Sequence, residues 1–388
     1  MPSATGWSAS SRRAAAPLDD AEAVRHAGRE LLSLALIDSR NRLLQLLARD
    51  ETARALRTAA RAGWFQEYWI GRHVQRQRGE ACYPHGPRLA GIEARIDEWI
   101  ADDGALPASE DLRAYLADTL DTTLDLLAGA AEDDASLHHY RNCLLHEDRL
   151  GEALAEALRA GAPLSRADRE PLRLPAQRCQ LGSPPGGLVP HNERWAHEEA
   201  VPEFEIDAQV VSWARYVEFA EDGGYDRQAL WSEPGWAWVQ AVGRRAPAHV
   251  AQFHGGVLVG RGGTAGLQRA GPAQPAMHLS RHEAEAWCRW AGRRLPTEPE
   301  WALAARHGAG RGFVWGDVFE WVAGSARAWP GAPAPAPGCL YAVPAPGTQG
   351  VLRGASFATP ARCRHVQARR FVALTDDRAF CGFRSCAL

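Results

Sequence analysis

Leu144-Leu145-His146-Glu147-Asp148-Arg149-Leu150-Gly151-Glu152-Ala153-Leu154 has the leucine spacing of a helix packed on one side. On such a helix positions 146 and 150 stand one turn apart on the same face, and 152 lies a little under two turns beyond 146. A second histidine at 150 would make a divalent-metal site, because imidazoles at i and i+4 converge on one ion. The residue there is Leu150.

Outward from this run, three more helices are expected. Leu31, Leu32, Leu34, Leu36, Ile37, Leu43, Leu44, Leu46 and Leu47 recur at helical spacing and predict a helix over 19–50, with a break signalled near Ser39-Arg40-Asn41. A second, over 51–77, carries Trp64-Phe65-Gln66-Glu67-Tyr68-Trp69-Ile70, and Gly/Pro content marks a loop over 78–91. The third spans 109–128, and the fourth, over 131–160, carries the opening run. Four amphipathic helices predict a bundle, where metal sites are built from inward side chains. The same pattern also fits a packed all-α domain with no site.

The texture then changes. Residues 1–17 lack periodicity and are expected to be disordered; the bundle occupies 18–160, a Pro/Gly/Arg-rich connector 161–190, and a Trp- and Gly-rich part 191–388. That last part shows strand-like pieces at Phe204-Glu205-Ile206 and Gly256-Val257-Leu258-Val259. It also shows a helix over 280–291 opened by Ser280 and Glu283 at capping-box spacing, a short helix near 298–307, and otherwise turns. The fold class expected is α+β.

Composition narrows the function. A chain of 388 residues, 46% hydrophobic and 23% charged, can bury a large core and form two domains. A net charge of -3 and a pI near 6.5 give no reason to expect nucleic acid or an anionic membrane as partner. No apolar run approaches a span and no signal-like segment opens the chain, so a cytoplasmic protein is expected. The eight cysteines show no two-residue spacing and read as buried thiols. All 44 basic residues are arginine, which removes Schiff-base chemistry.

Seven blocks stand in order through the second half: Asn192-Glu193-Arg194-Trp195, Glu221-Asp222-Gly223-Gly224-Tyr225, Gly235-Trp236-Ala237-Trp238, Gly292-Arg293-Arg294-Leu295-Pro296-Thr297-Glu298, Trp315-Gly316-Asp317-Val318-Phe319-Glu320-Trp321, Arg353-Gly354-Ala355-Ser356-Phe357 and Gly382-Phe383-Arg384. They resemble the formylglycine-generating-enzyme (sulfatase-modifying factor) fold, a C-type-lectin-like fold poor in regular structure. Asp38-Ser39-Arg40-Asn41-Arg42, the aromatic block at 64–69, Gln75-Arg76-Gln77-Arg78-Gly79 and His146-Glu147-Asp148 resemble the DinB-like bundle fused to that fold in the ergothioneine-biosynthesis sulfoxide synthases and selenoneine synthases.

The resemblance implies a mononuclear non-haem iron(II) enzyme. In that family three bundle histidines hold the metal, and O2 drives the joining of sulfur or selenium, from a thiol or selenol donor, to the imidazole of trimethylhistidine (hercynine). Neutral imidazoles would hold iron(II), and aromatic faces would suit the betaine cation.

Carried over by position, the three iron ligands fall at Arg61, His146 and Leu150, of which only His146 has a lone pair to give. Glu67 and Glu152 are implied as carboxylates that orient a histidine, or else as internal partners for Arg61. A tyrosine pair aligns with Gly338 and Tyr341, leaving Tyr341 as the catalytic candidate. Trp321, Arg370 and Phe371 are implied as substrate-binding, although Trp315, Trp321 and Phe371 read first as core packing and second as cleft lining. The Pro330 to Gly338 stretch suits a polyproline-like spacer.

His146 itself has two readings, inherited ligand or packed core histidine. His73, His138 and His139 are candidates to replace a lost ligand, with His139 about 10 Å of helix rise from His146. Cys381 and Cys386 do not sit where formylglycine-generating enzymes hold copper. Two functions follow: an oxidoreductase of the ergothioneine and selenoneine synthase type, or a non-catalytic descendant that binds a small cation or a protein.

Overall fold

The computed structural model describes residues 17–74, 104–106, 108–260, 262, 266–335 and 341–388, apart from the His73 side chain. The expectations for residues 1–16, for the 78–91 loop, for Gln75 to Gly79, for Gly338 and for His73 as a ligand lie outside the described residues. No helix among the described residues is long and apolar enough to cross a membrane.

The helical part opens with α1 (Ala21–Arg25), where the Asp20 side chain accepts from the Glu22 and Ala23 amides as a cap. α2 (Arg29–Leu47) follows, so the helix expected over 19–50 is interrupted at Gly28. It does not break at Ser39-Arg40-Asn41. Ser39 and Arg40 point inward and are satisfied there, Ser39 Oγ by Asp148 at 2.8 Å and Arg40 Nε by Glu147 at 2.6 Å. A buried polar pair met by partners keeps the helix running where sequence alone signals a stop.

α3 (Ala53–Gln66) is capped by Thr52 and passes into a π-helix over Glu67–Val74. α4 (Ser109–Ala128) and α5 (Asp134–Ala157, capped by Asp133) complete the helical part. The apolar faces of these helices form two clusters, one around Leu43, Leu47, Leu56, Tyr115 and Leu116, the other around Leu32, Leu36, Phe65, Leu137 and Leu144.

The rest is built on short strands. β1 (Leu172–Leu174), β4 (Phe204–Ile206), β13 (Cys386–Ala387) and β8 (Arg293–Arg294) form one sheet in the order β1-β4-β13-β8. β11 (Arg369–Val372), β10 (Gly350–Gly354), β9 (Phe319–Val322) and β12 (Cys381–Phe383) form a second in the order β11-β10-β9-β12. β2 (Gln177–Leu181) pairs with β3 (His197–Val201), and β5 (Val250–Gln252), β6 (Leu258–Gly260) and β7 (Leu267–Arg269) make a three-stranded sheet. The stretch expected as a connector, 161–190, therefore supplies β1 and β2.

Two further helices were not expected from sequence, α6 (Trp213–Glu221) and α7 (Glu233–Val242). Both are short and sit in Trp- and Gly-rich sequence that dilutes a 3.6-residue pattern. Their caps are explicit: Ser212 and Ser232 accept from Arg215 and Gly235 amides, and Pro234 stands in the first turn of α7. α8 (Arg281–Trp290) and α9 (Glu298–His307) both start with a complete capping box, as the spacing around Ser280 anticipated for the first.

Ion pairs join the helices to the strand-rich part. Arg25 forks onto Glu193 at 2.7 and 2.9 Å, Arg362 onto Asp148 at 2.7 Å twice, and Arg370 onto Glu156 at 2.7 and 2.8 Å. A third arm of Arg362 reaches Asp38 at 2.7 Å. Such two-pronged guanidinium pairs fix geometry as well as charge.

Candidate functional site

A cavity of about 360 Å³ lies where α5 meets β11 and the chain around Tyr341. α5 contributes Arg149 and Glu152, three residues apart and joined by a 3.1 Å hydrogen bond; β11 contributes Arg370 and Phe371. Glu152 also accepts from Ser356 at 3.3 Å and from Thr359, which ties the helix to the turn after β10. Burial alone would lower the Arg370 pKa, but the Glu156 carboxylate outweighs it and raises it, so the guanidinium is permanently charged. Burial works on Arg149 in the same sense, and Glu152 again outweighs it.

Two buried polar atoms of the lining have no hydrogen-bond partner among the described residues, Tyr341 Oη and Asn192 Oδ1. Asn192 is anchored by its other end, donating to the Arg369 carbonyl at 2.8 Å. Tyr341 is held at φ 63°, in the left-handed region that a bulky residue enters only under constraint. Burial pushes its phenol pKa up, so the hydroxyl stays protonated and can donate. Buried polar groups left unmatched are uncommon and call for an explanation; here both border one cavity.

The structure thus brings together Tyr341, Arg370, Phe371 and Glu152 from the residues singled out in the sequence. Trp321 is elsewhere: it is fully buried in β9 and its indole donates to the Leu279 carbonyl at 2.7 Å, so it is core and not cavity wall. Arg149 and Asn192 were missed, although the Arg149 and Glu152 spacing is a helical pairing signal.

The residues at the implied metal positions do not make a donor set. The His146 ring packs on Phe65, centroids 4.2 Å apart, with no hydrogen-bond partner among the described residues, and burial lowers its pKa to about 4. Leu150 packs against the apolar cluster around Leu43 and Leu116. The Arg61 side chain is exposed, so the expected internal pairing with Glu67 or Glu152 is not formed. Glu67 instead accepts from Arg72 at 2.9 Å and Tyr115 at 2.7 Å. His139 lies flat on Trp69 at 5.1 Å and His138 meets His139 edge-on. Among the described residues no three His, Cys, Asp or Glu side chains are grouped so as to hold a metal ion. Cys381 and Cys386 are buried free thiols.

Comparison with known proteins places the chain. Residues 167–329 match the profile of the sulfatase-modifying factor enzyme 1-like domain. Hercynine oxygenase of Mycolicibacterium smegmatis is 30% identical over 332 residues, covering 70% of this chain and 75% of that protein. The chain belongs to the hercynine oxygenase family. A second member of the family, hercynine oxygenase of Mycobacterium tuberculosis, is 32% identical over 311 residues, 63% of this chain and 70% of that one. Formylglycine-generating enzyme of Streptomyces coelicolor is 33% identical over 190 residues, 42% of this chain and 55% of its own length. The match to the hercynine oxygenases extends beyond the strand-rich part that the formylglycine-generating enzyme shares.

Proposed function

We propose that this chain binds hercynine, or a closely related histidine betaine, in the Tyr341 cavity and serves the oxidative joining of sulfur or selenium to the imidazole, with a thiol or selenol as donor. The observation that carries the substrate assignment is the pair of unmatched polar atoms, Tyr341 Oη and Asn192 Oδ1, in a cavity that also presents fixed guanidinium groups. A zwitterion suits this lining. Its carboxylate can take N–H bonds from Arg149 or Arg370, its imidazole can pair with Tyr341 or Asn192, and the Phe371 face can receive the trimethylammonium group. In the same reading the helical half is a DinB-like bundle and the strand-rich half a C-type-lectin-like domain.

The reaction implied by the resemblance calls for iron(II), and the donors at 61, 146 and 150 do not fit it: one is exposed and cationic, one is a lone imidazole against a phenyl ring, one is aliphatic. That misfit favours a second reading, a member that binds the betaine without oxidising it.

Calorimetry with hercynine, together with oxygen uptake after addition of iron(II) and a thiol or selenol, separates the two. Binding with oxygen uptake supports the oxidative reading, and binding alone the second. Absence of binding, or binding that ignores Tyr341→Phe and Arg370→Gln, removes the cavity from both.

A further inference from the structure

A second cavity, about 350 Å³ in volume, opens on the adjoining face of α5, between α2 and the turn after β10. This is within the size of small-molecule pockets, roughly 300–1,000 Å³. Its floor holds three buried carboxylates, each paired with a guanidinium. Glu147 is paired with Arg40, Asp148 with Arg362, and Glu152 with Arg149 and Thr359. Its apolar wall is Leu43, Leu46, Ala155 and Phe357.

The rim is different. Arg42 leaves the last turns of α2, and Arg49 the turn just past its C-terminal end, seven residues on. Arg42 makes one long bond, 3.3 Å to the Ala358 carbonyl, and Arg49 has no ion pair or side-chain hydrogen bond among the described residues. Arg362 is shared between Asp148 and Asp38, so the two rim guanidiniums outweigh the one carboxylate in excess and leave the rim positively charged.

We infer that this cavity is a binding site for a small dianionic molecule, one oxyanion group on each of Arg42 and Arg49 and an aliphatic middle on Leu43, Leu46 and Phe357. Guanidinium groups recognise carboxylate and phosphate alike, so the class is set by charge and span and not by the acid. The site is separate from the Tyr341 cavity, though Glu152 borders both.

Titration of the full chain with glutarate, inorganic phosphate and acetate, followed by calorimetry, tests this. Glutarate is expected to bind most tightly and acetate least, with phosphate the arm that reports a single strong oxyanion. Arg49→Gln and Arg42→Gln, both at exposed positions, are each expected to weaken glutarate roughly tenfold or more. Arg370→Gln, in the other cavity, should leave it unchanged. No binding of any probe, or binding that falls with Arg370→Gln but not with Arg49→Gln, overturns the proposal. Hercynine binding is measured separately and does not enter this outcome.

Discussion

Arg362 and Asp148 face each other as a buried fork, Nε to Oδ2 and Nη2 to Oδ1, both at 2.7 Å. One residue stands in the strand-rich part and the other on α5, beside Arg149. Asp148 also accepts from Ser39 Oγ at 2.8 Å and from Cys363 Sγ at 3.3 Å. Arg362→Met would leave that carboxylate buried without its cation, at a cost of about 3–5 kcal/mol. Urea denaturation should show the loss, and the double variant Arg362→Met with Asp148→Leu should recover a good part of it, because an apolar pair needs no compensation.

Tyr341→Phe removes a buried hydroxyl that bonds to nothing described. Thermal stability is therefore expected to stay level or rise slightly, since no hydrogen bond is lost. Hercynine affinity is expected to fall several-fold in the same variant, by calorimetry. A fall in stability with unchanged affinity would make Tyr341 a packing residue.

Leu150→His places an imidazole one turn from His146 on the same face of α5. Cobalt(II) absorption or calorimetry with zinc should then detect metal binding absent from the unaltered chain. The change also puts a polar ring into the cluster around Leu43 and Leu116, so a loss of about 1–3 kcal/mol in stability is expected. Adding Arg61→His tests whether α3 can supply a third donor; no gain over Leu150→His would mean that position 61 faces away from the pair.

Acid should act on stability through buried groups of opposite sign. Burial raises Glu283 to about 7 against its usual 4.5, so Glu283 adds stability as pH falls through that range, while His146 and Glu193 subtract it. Burial holds His146 at about 4, below its usual 6.5, so as pH falls between these values the unfolded chain takes up a proton that the folded chain refuses, and stability declines. Burial would raise Glu193, but Arg25 outweighs it and holds the carboxyl at about 2 against 4.5. Its contribution is complete above 4.5 and is lost as pH falls toward 2. Burial also lowers His138 and His282, so between pH 6.5 and 4 the His146→Leu variant should lose less stability than the unaltered chain, with the Glu193 range below 4.5 unchanged. Denaturant midpoints between pH 7 and 2 give the comparison.

Much of the frame was legible because periodicity and caps are local. The bounds of Ser109–Ala128 and the capping boxes of α8 and α9 follow from residues a few positions apart. What sequence hid is long-range. Ser39 and Arg40 look like a helix break until Asp148 and Glu147, over a hundred residues away, are seen to satisfy them. Trp321 sits in a block rich in candidate site residues, yet its indole is spent on a backbone carbonyl. The 172–181 stretch, Arg-, Pro- and Gln-rich, becomes strand only because 197–206 lies alongside to pair with it. Arg61 reads from sequence as an internal charge, and its exposure follows only from where α3 turns its faces.

The three forks that hold α1 and α5 to the strand-rich part all use guanidinium, in a chain without lysine. A guanidinium does not give up its proton in alkali and is not a substrate for acetylation or for amine-reactive cross-linkers. Reagents that neutralise primary amines will thus leave these fastenings untouched. Reagents aimed at arginine, such as vicinal dicarbonyls, will reach the rim side chains Arg42 and Arg49 well before the clasped ones.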